Sequence, residues 1–244
     1  MLAHPENETT STWLDLVIYI FGGFGLFALA SFGVGLLFID TEPNLLMISL
    51  AILLNVIFIG GSVYFLGVLR GKTSWEEMGL IPIKLKWEWI LLAIGLAVGL
   101  MPLRALVGLI FQLVIEGNFD SLQARADIFS PGTEFSWPYF LVTLIGAGIL
   151  GPISEELYFR GLIHRWFMPR LGFTSRVLAS SIFFGLGHID SVGVLASSFI
   201  MGIVLAVVYE KTESLWVPIA IHIFTNSIAV TALYFFLAIG EYLP

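Results

Sequence analysis

The stretch LLMISLAILLNVIFIGGSVYFLGVL, residues 45–69, runs for 25 residues without an Asp, Glu, Lys or Arg. About 20 apolar residues in a helix cross the hydrocarbon core of a bilayer, so this run spans one, and it stops at Arg70. The same reading extends outward on both sides. Leu14 to Ile39 is apolar apart from Asp15 at its edge and joins residues 45–69 through the polar turn Asp40 to Asn44. Beyond them, Trp87 to Ile115, Trp137 to about Phe159, Ser175 to Ile189, Val194 to Tyr209 and Trp216 to Ile239 read as further spans. The third contains Pro102 and Arg104, and its length implies tilt or a kink at the proline. The expected fold is all-α, a polytopic transmembrane helical bundle of about seven spans, or eight if the third is split.

Composition agrees. Of 244 residues, 58% are hydrophobic and 12% charged, and the mean hydropathy is +0.95. A soluble domain carries about 25% charged residues, so this chain has half the usual charge with which to cover a surface. Soluble enzyme and disordered linker are therefore poor readings. A net charge of -7 with only 11 Lys and Arg also argues against a nucleic-acid partner. The absence of cysteine removes thiol nucleophiles, disulfides and Cys-ligated zinc.

The chain reads as one integral membrane domain in three parts. Residues 1–13 form a polar tail without Lys or Arg, residues 14–136 the amino-terminal helices with an interfacial loop, and residues 137–240 a carboxyl-terminal helical core that holds the polar motifs discussed below. The polar stretch Glu116 to Ser136 is expected to be an interfacial loop or a short amphipathic helix. Basic residues set the orientation, because Lys and Arg accumulate in cytoplasmic loops. Arg70, Lys72, Lys84, Lys86, Arg165, Arg170, Arg176 and Lys211 all fall on one side of a seven-span arrangement, and Arg125 on the other. The amino terminus is thus expected inside and the carboxyl terminus outside, in what chain size suggests is a prokaryotic plasma membrane.

A charge at the centre of a spanning helix costs about 2.5–3.5 kcal/mol on insertion scales and calls for a partner or a task. The fourth span ends in Glu155-Glu156-Leu157-Tyr158-Phe159-Arg160. Adjacent helical residues sit about 100° apart, so the two carboxylates have different surroundings. Glu156 and Arg160, four apart, can pair on one face, which leaves Glu155 as the freer, reactive acid. Histidine repeats the anomaly in Phe184-Gly185-Leu186-Gly187-His188 and again in His222-Ile223-Phe224-Thr225-Asn226. One carboxylate, two imidazoles and an amide on three helices can converge to activate water and stabilise an oxyanion. Taken singly, each has a plainer reading as a helix-end salt bridge or a packing histidine. His164 is placed in the basic loop after the cluster. Arg104 reads as snorkelling or acid-paired, with a substrate carboxylate as the other option. Gly95-Leu96-Ala97-Val98-Gly99 reads as a small-residue helix-packing motif.

At these residues the sequence resembles the CAAX protease and bacteriocin-processing family of intramembrane endopeptidases, which includes the type 2 CAAX prenyl proteases. The motifs that carry the resemblance are Glu155-Glu156-x-x-x-Arg160, Phe184-x-x-x-His188 and His222-x-x-x-Asn226, in order and intact between about Trp137 and Ala229. The resemblance implies hydrolysis of a peptide bond in a membrane-associated protein or peptide, prenylated CAAX tails among the options. It implies that Glu155, helped by His188, activates water, with Glu156 and Arg160 beside it and His222 and Asn226 facing the oxyanion. The family has also been described as zinc-dependent, which would make Glu155, His188 and His222 the ligands. No His-Glu-x-x-His occurs, and the metal-free, cofactor-free glutamate mechanism is the favoured expectation. Serine and aspartyl intramembrane proteases fit less well, since neither Gly-x-Ser-Gly nor Gly-x-Gly-Asp is present. The rival classes are a proton-coupled transporter using the same titratable residues and a catalytically silent immunity or scaffold protein.

Overall fold

The computed structural model describes residues 11–81, 86–131 and 135–240. Most of the polar tail, Lys84 and part of the expected interfacial stretch lie outside the described residues. Among the described residues, six helices are long and apolar enough to cross a membrane: α1 Trp13–Leu37, α2 Leu45–Val68, α3 Trp87–Glu116, α5 Trp137–Phe167, α7 Val192–Thr212 and α8 Trp216–Ile239. Two shorter helices complete the set, α4 Asp120–Phe129 and α6 Phe173–Leu186. No strand occurs among the described residues. The chain is a polytopic helical bundle, and its outward faces carry lipid-compatible side chains such as Leu29, Phe32, Leu37, Val114 and Phe236.

Local chemistry explains where the helices start. Thr12 caps α1 in a reciprocal box with Asp15, and Asn44 accepts from the amides of Leu46 and Met47 at the start of α2, satisfying amide groups a helix leaves unpaired. Ser191 does the same for α7. Pro102 sits inside α3 without ending it.

The two ends of the bundle differ in charge. At one end Arg70 and Lys72 both reach Asp15, at 2.9 and 3.2 Å. There Trp166 donates to the Thr12 carbonyl at 2.9 Å, Arg170 donates to Ser11, and Arg165 meets Glu77. Arg176 and Lys211 flank Phe173 at the same end. Arg125 lies at the opposite end, paired with Asp190. Among the described residues, these basic side chains other than Arg125 thus gather toward one end of the bundle.

Three sequence boundaries need correction. Helix α5 continues to Phe167 instead of ending near Phe159, so His164 is inside the bundle and not in a loop. Helix α6 stops at Leu186, which puts His188 on the following turn. Gly95 and Gly99 do not mediate packing, since a Cβ on either would meet nothing within 4 Å. Ala93, Ala97 and Leu100 form the buried stripe of α3 instead.

Helix α5 is the axis of the fold. From Tyr158 to His164 every residue is buried, and the backbone is π-helical on both sides of the short α-helical segment Gly151–Glu156. Such widened turns recur at functional sites because they re-aim side chains. The approach of α2 needs Gly60, where a Cβ would stand 2.9 Å from Ser154 Oγ. Helices α6 and α7 come together at Gly202, where a Cβ would lie 3.0 Å from the Ser181 side chain. That contact also aims the Gly202 carbonyl at Arg160.

Candidate active site

The three motifs meet at one place. Arg160 donates to Glu156 Oε1 at 2.9 Å and to the Gly202 carbonyl at 3.1 Å, and its guanidinium lies 4.3 Å from the Phe184 ring centroid. Glu156 is fully buried and Arg160 nearly so. Glu156 is not committed to Arg160 alone, because His222 Nδ1 also lies 2.8 Å from its Oε1. The expected ion pair exists and does a second task, orienting an imidazole from α8.

These contacts fix both histidine tautomers. A carboxylate held by an arginine accepts only, so His222 Nδ1 carries the proton and Nε2 presents a lone pair. His188 Nδ1 lies 3.0 Å from the Phe184 carbonyl, an acceptor as well, so its Nε2 presents a lone pair too. Both Nε2 atoms sit 3.9 Å from Glu155 Oε2. That oxygen is buried without a hydrogen-bond partner among the described residues. Phe184 is packed against both imidazoles, with ring centroids 5.2 and 5.6 Å away, and holds them at a fixed distance.

Beside this cluster lies a cavity of about 350 Å³. His188, His222 and Asn226 line it, together with Arg104 from α3 and Ser197 and Ser198 from α7. Asn226 donates to the Ala147 carbonyl at 3.2 Å, and Ala147 is itself a cavity residue. Helix α4 closes the outer side with Leu122, Arg125, Ala126 and Phe129, the i, i+3, i+4, i+7 pattern of one helical face. Its ends are tied down: Ser121 donates to Glu116 at 2.7 Å, while Tyr234 and Thr143 donate to the Phe129 carbonyl at 2.6 and 3.0 Å. Of the two options for the polar stretch, the structure takes the helix.

His164 is elsewhere. It bonds Ser180 at 2.8 Å and Glu210 at 2.9 Å, with Arg176 on the same carboxylate. This is a separate buried network toward the basic end. Arg104 pairs with no acid among the described residues and lines the cavity instead, and the carbonyls of Ala147, Phe184 and Gly202 carry no sequence signal.

Glu155, His188 and His222 supply the donor types of a zinc site, and each imidazole has an acceptor behind it, as metal-ligating histidines do. As placed, no group of three or more His, Asp or Glu among the described residues is arranged to hold a metal ion. No step below is routed through one.

Residues 137–228 match the family model described as Type II CAAX prenyl endopeptidase Rce1-like. The matched segment is similar to that family. It contains Glu155, Glu156, Arg160, His188, His222 and Asn226 and leaves out Arg104 and helix α4. The chain is also 30% identical over 142 residues to "Putative membrane peptidase YdiL" of Bacillus subtilis (strain 168), covering 55% of this chain and 57% of that protein. The chain therefore spans little more than half the length of the curated relative it matches. No solved structure matches it.

Proposed function

We propose that the protein is an intramembrane endopeptidase of the glutamate type, acting on a membrane-associated protein or peptide, lipidated or not. The observation that carries this reading is Glu155 Oε2, unpartnered and 3.9 Å from the Nε2 lone pairs of both His188 and His222, next to a cavity in the bundle. A water at ordinary hydrogen-bond distances of about 2.8 Å bridges groups that far apart. It donates one proton to Glu155 and the other to an imidazole, which leaves an oxygen lone pair for a peptide carbonyl. Glu155 takes the water's proton and delivers it to the departing amine.

The tautomers shift one role. With its Nδ1–H given to Glu156, a neutral His222 offers the cavity a lone pair, so it holds water. Stabilisation of the oxyanion falls to the Asn226 amide, worth about 10²–10³ in rate for one such donor. The segregated basic end supports a cytoplasmic amino terminus, with the α4 side of the cavity facing outward.

A second reading has its own support: the acceptors behind both imidazoles suit zinc held by Glu155, His188 and His222, which would acidify bound water. Purified protein assayed on peptide pools by mass spectrometry, with and without a chelator, tests both. Cleavage that survives the chelator and disappears in Glu155→Gln supports the glutamate mechanism. Cleavage lost to the chelator and restored by zinc supports the metal. A folded wild type that cuts nothing favours the transporter or scaffold classes.

A further inference from the structure

The proposed chemistry leaves one cavity residue unused. Arg104 stands in the interior of α3, about 18 Å along the helix from its end at Glu116. It makes no hydrogen bond or ion pair with any described residue, and its Nε is buried without an acceptor. A guanidinium cannot lose its charge to escape this setting. A charge held within a spanning helix is costly, and no contact with a described residue offsets it.

The surroundings indicate what would. Although the chain is acidic overall, with 18 Asp and Glu against 11 Lys and Arg, no carboxylate among the described residues lines the cavity. Among the described residues its permanent charges are Arg104 and Arg125. Arg125 is already taken by Asp190. The acid whose field reaches Arg104 is Glu155, but among the described residues the ion-pair contacts of Glu155 are to the two imidazoles and not to Arg104. What remains is a planar, charged fork aimed into a cavity that opens beside the proposed scissile position, and the matching group is a carboxylate.

We propose that Arg104 is a specificity-determining residue that binds a carboxylate of the substrate peptide in this cavity. The proposal rests on the endopeptidase reading for its substrate and extends it from a peptide to an anionic one. The carboxylate comes either from the peptide's own carboxyl terminus or from an Asp or Glu side chain. Both present the same group to the fork, and both locate the bound anion on the α3 side of Glu155.

The test uses N-terminally fluorescent apolar nonapeptides made in three forms: free acid, C-terminal amide, and C-terminal amide with one internal Glu. Binding is measured on full-length Glu155→Gln protein in detergent, and cleavage on the wild type. A charge-assisted pair with arginine gives about a 10- to 100-fold affinity preference for a carboxylate-bearing form over the plain amide. Preference for the free acid identifies the terminus as the source, and preference for the internal Glu identifies the side chain. Adding Arg104→Leu reduces either preference to below about threefold, and Arg104→Lys keeps part of it, as expected of a point charge replacing a fork. If Arg104→Leu does not fold, the comparison of the three peptides on the unaltered Arg104 decides alone.

Equal affinity for all three forms, or no saturable binding of any, overturns the subsite. Cleavage by wild type without a carboxylate preference overturns it while leaving the endopeptidase intact. A carboxylate preference in binding with no cleavage does the reverse.

Discussion

Arg160→Ala removes more than a surface charge pair would. Arg160 and Glu156 are 1% and 0% exposed and 2.9 Å apart, so their attraction acts in low dielectric with little solvent screening. Deleting the guanidinium leaves a carboxylate inside the bundle whose Oε2 already lacks a partner and whose Oε1 keeps only His222. It also removes the extra donor to the Gly202 carbonyl and strips the cation from the Phe184 ring. Breaking one side of a buried pair costs about 3–5 kcal/mol. For a chain of this size, that corresponds to a melting temperature lowered by about 6–20 °C. The seven tryptophans give the signal, read as intrinsic fluorescence during heating in detergent at one scan rate. Pairing Arg160→Met with Glu156→Gln recovers at least half of the loss, because no charge is then stranded and His222 Nδ1 keeps an acceptor. An Arg160→Ala protein that melts within about 2 °C of wild type would refute the reasoning, since a shift that small corresponds to less than about 1 kcal/mol.

Other variants separate chemistry from stability. Glu155→Gln and His188→Ala abolish peptide cleavage and leave the melting temperature nearly unchanged, because neither side chain carries a short contact to another helix; normal turnover in either removes it from water activation. Asn226→Ala lowers kcat by about 10²–10³ with little change in KM, as expected of a group that acts on the developing oxyanion, and a change confined to KM would assign it to substrate binding. His164→Phe lowers stability by about 1–3 kcal/mol through the unpaired Ser180 and Glu210 groups, while cleavage per folded molecule stays at the wild-type level. A selective loss of turnover there would bring the second network into the reaction.

The spans were legible because uncharged runs such as residues 45–69 leave the backbone no choice but an internally bonded helix. Where polar residues interrupt a run, the sequence misleads. Arg160, His164 and Arg165 look like the start of a loop, yet α5 continues because the polar groups find partners inside, Arg160 on Glu156 and His164 on Ser180 and Glu210. Gly95 and Gly99 match a packing pattern, but spacing does not say which face of α3 meets a neighbour, and the alanine face does. The motif residues of the site were all visible in the sequence as polar groups in apolar helices. Their coupling was not. That Glu156 holds His222 as well as Arg160, and so decides which nitrogen faces Glu155, depends on where α8 crosses α5, a fact of packing between residues 66 positions apart.

The central claim is that Glu155 activates water for attack on a peptide bond. Its most direct test is cleavage of a membrane-embedded peptide by purified protein in ¹⁸O-enriched water, with wild type and Glu155→Gln side by side. The account predicts one ¹⁸O in the new carboxyl terminus released by wild type and no such fragment from the folded variant. Labelled fragment formed at the wild-type rate by Glu155→Gln would contradict it.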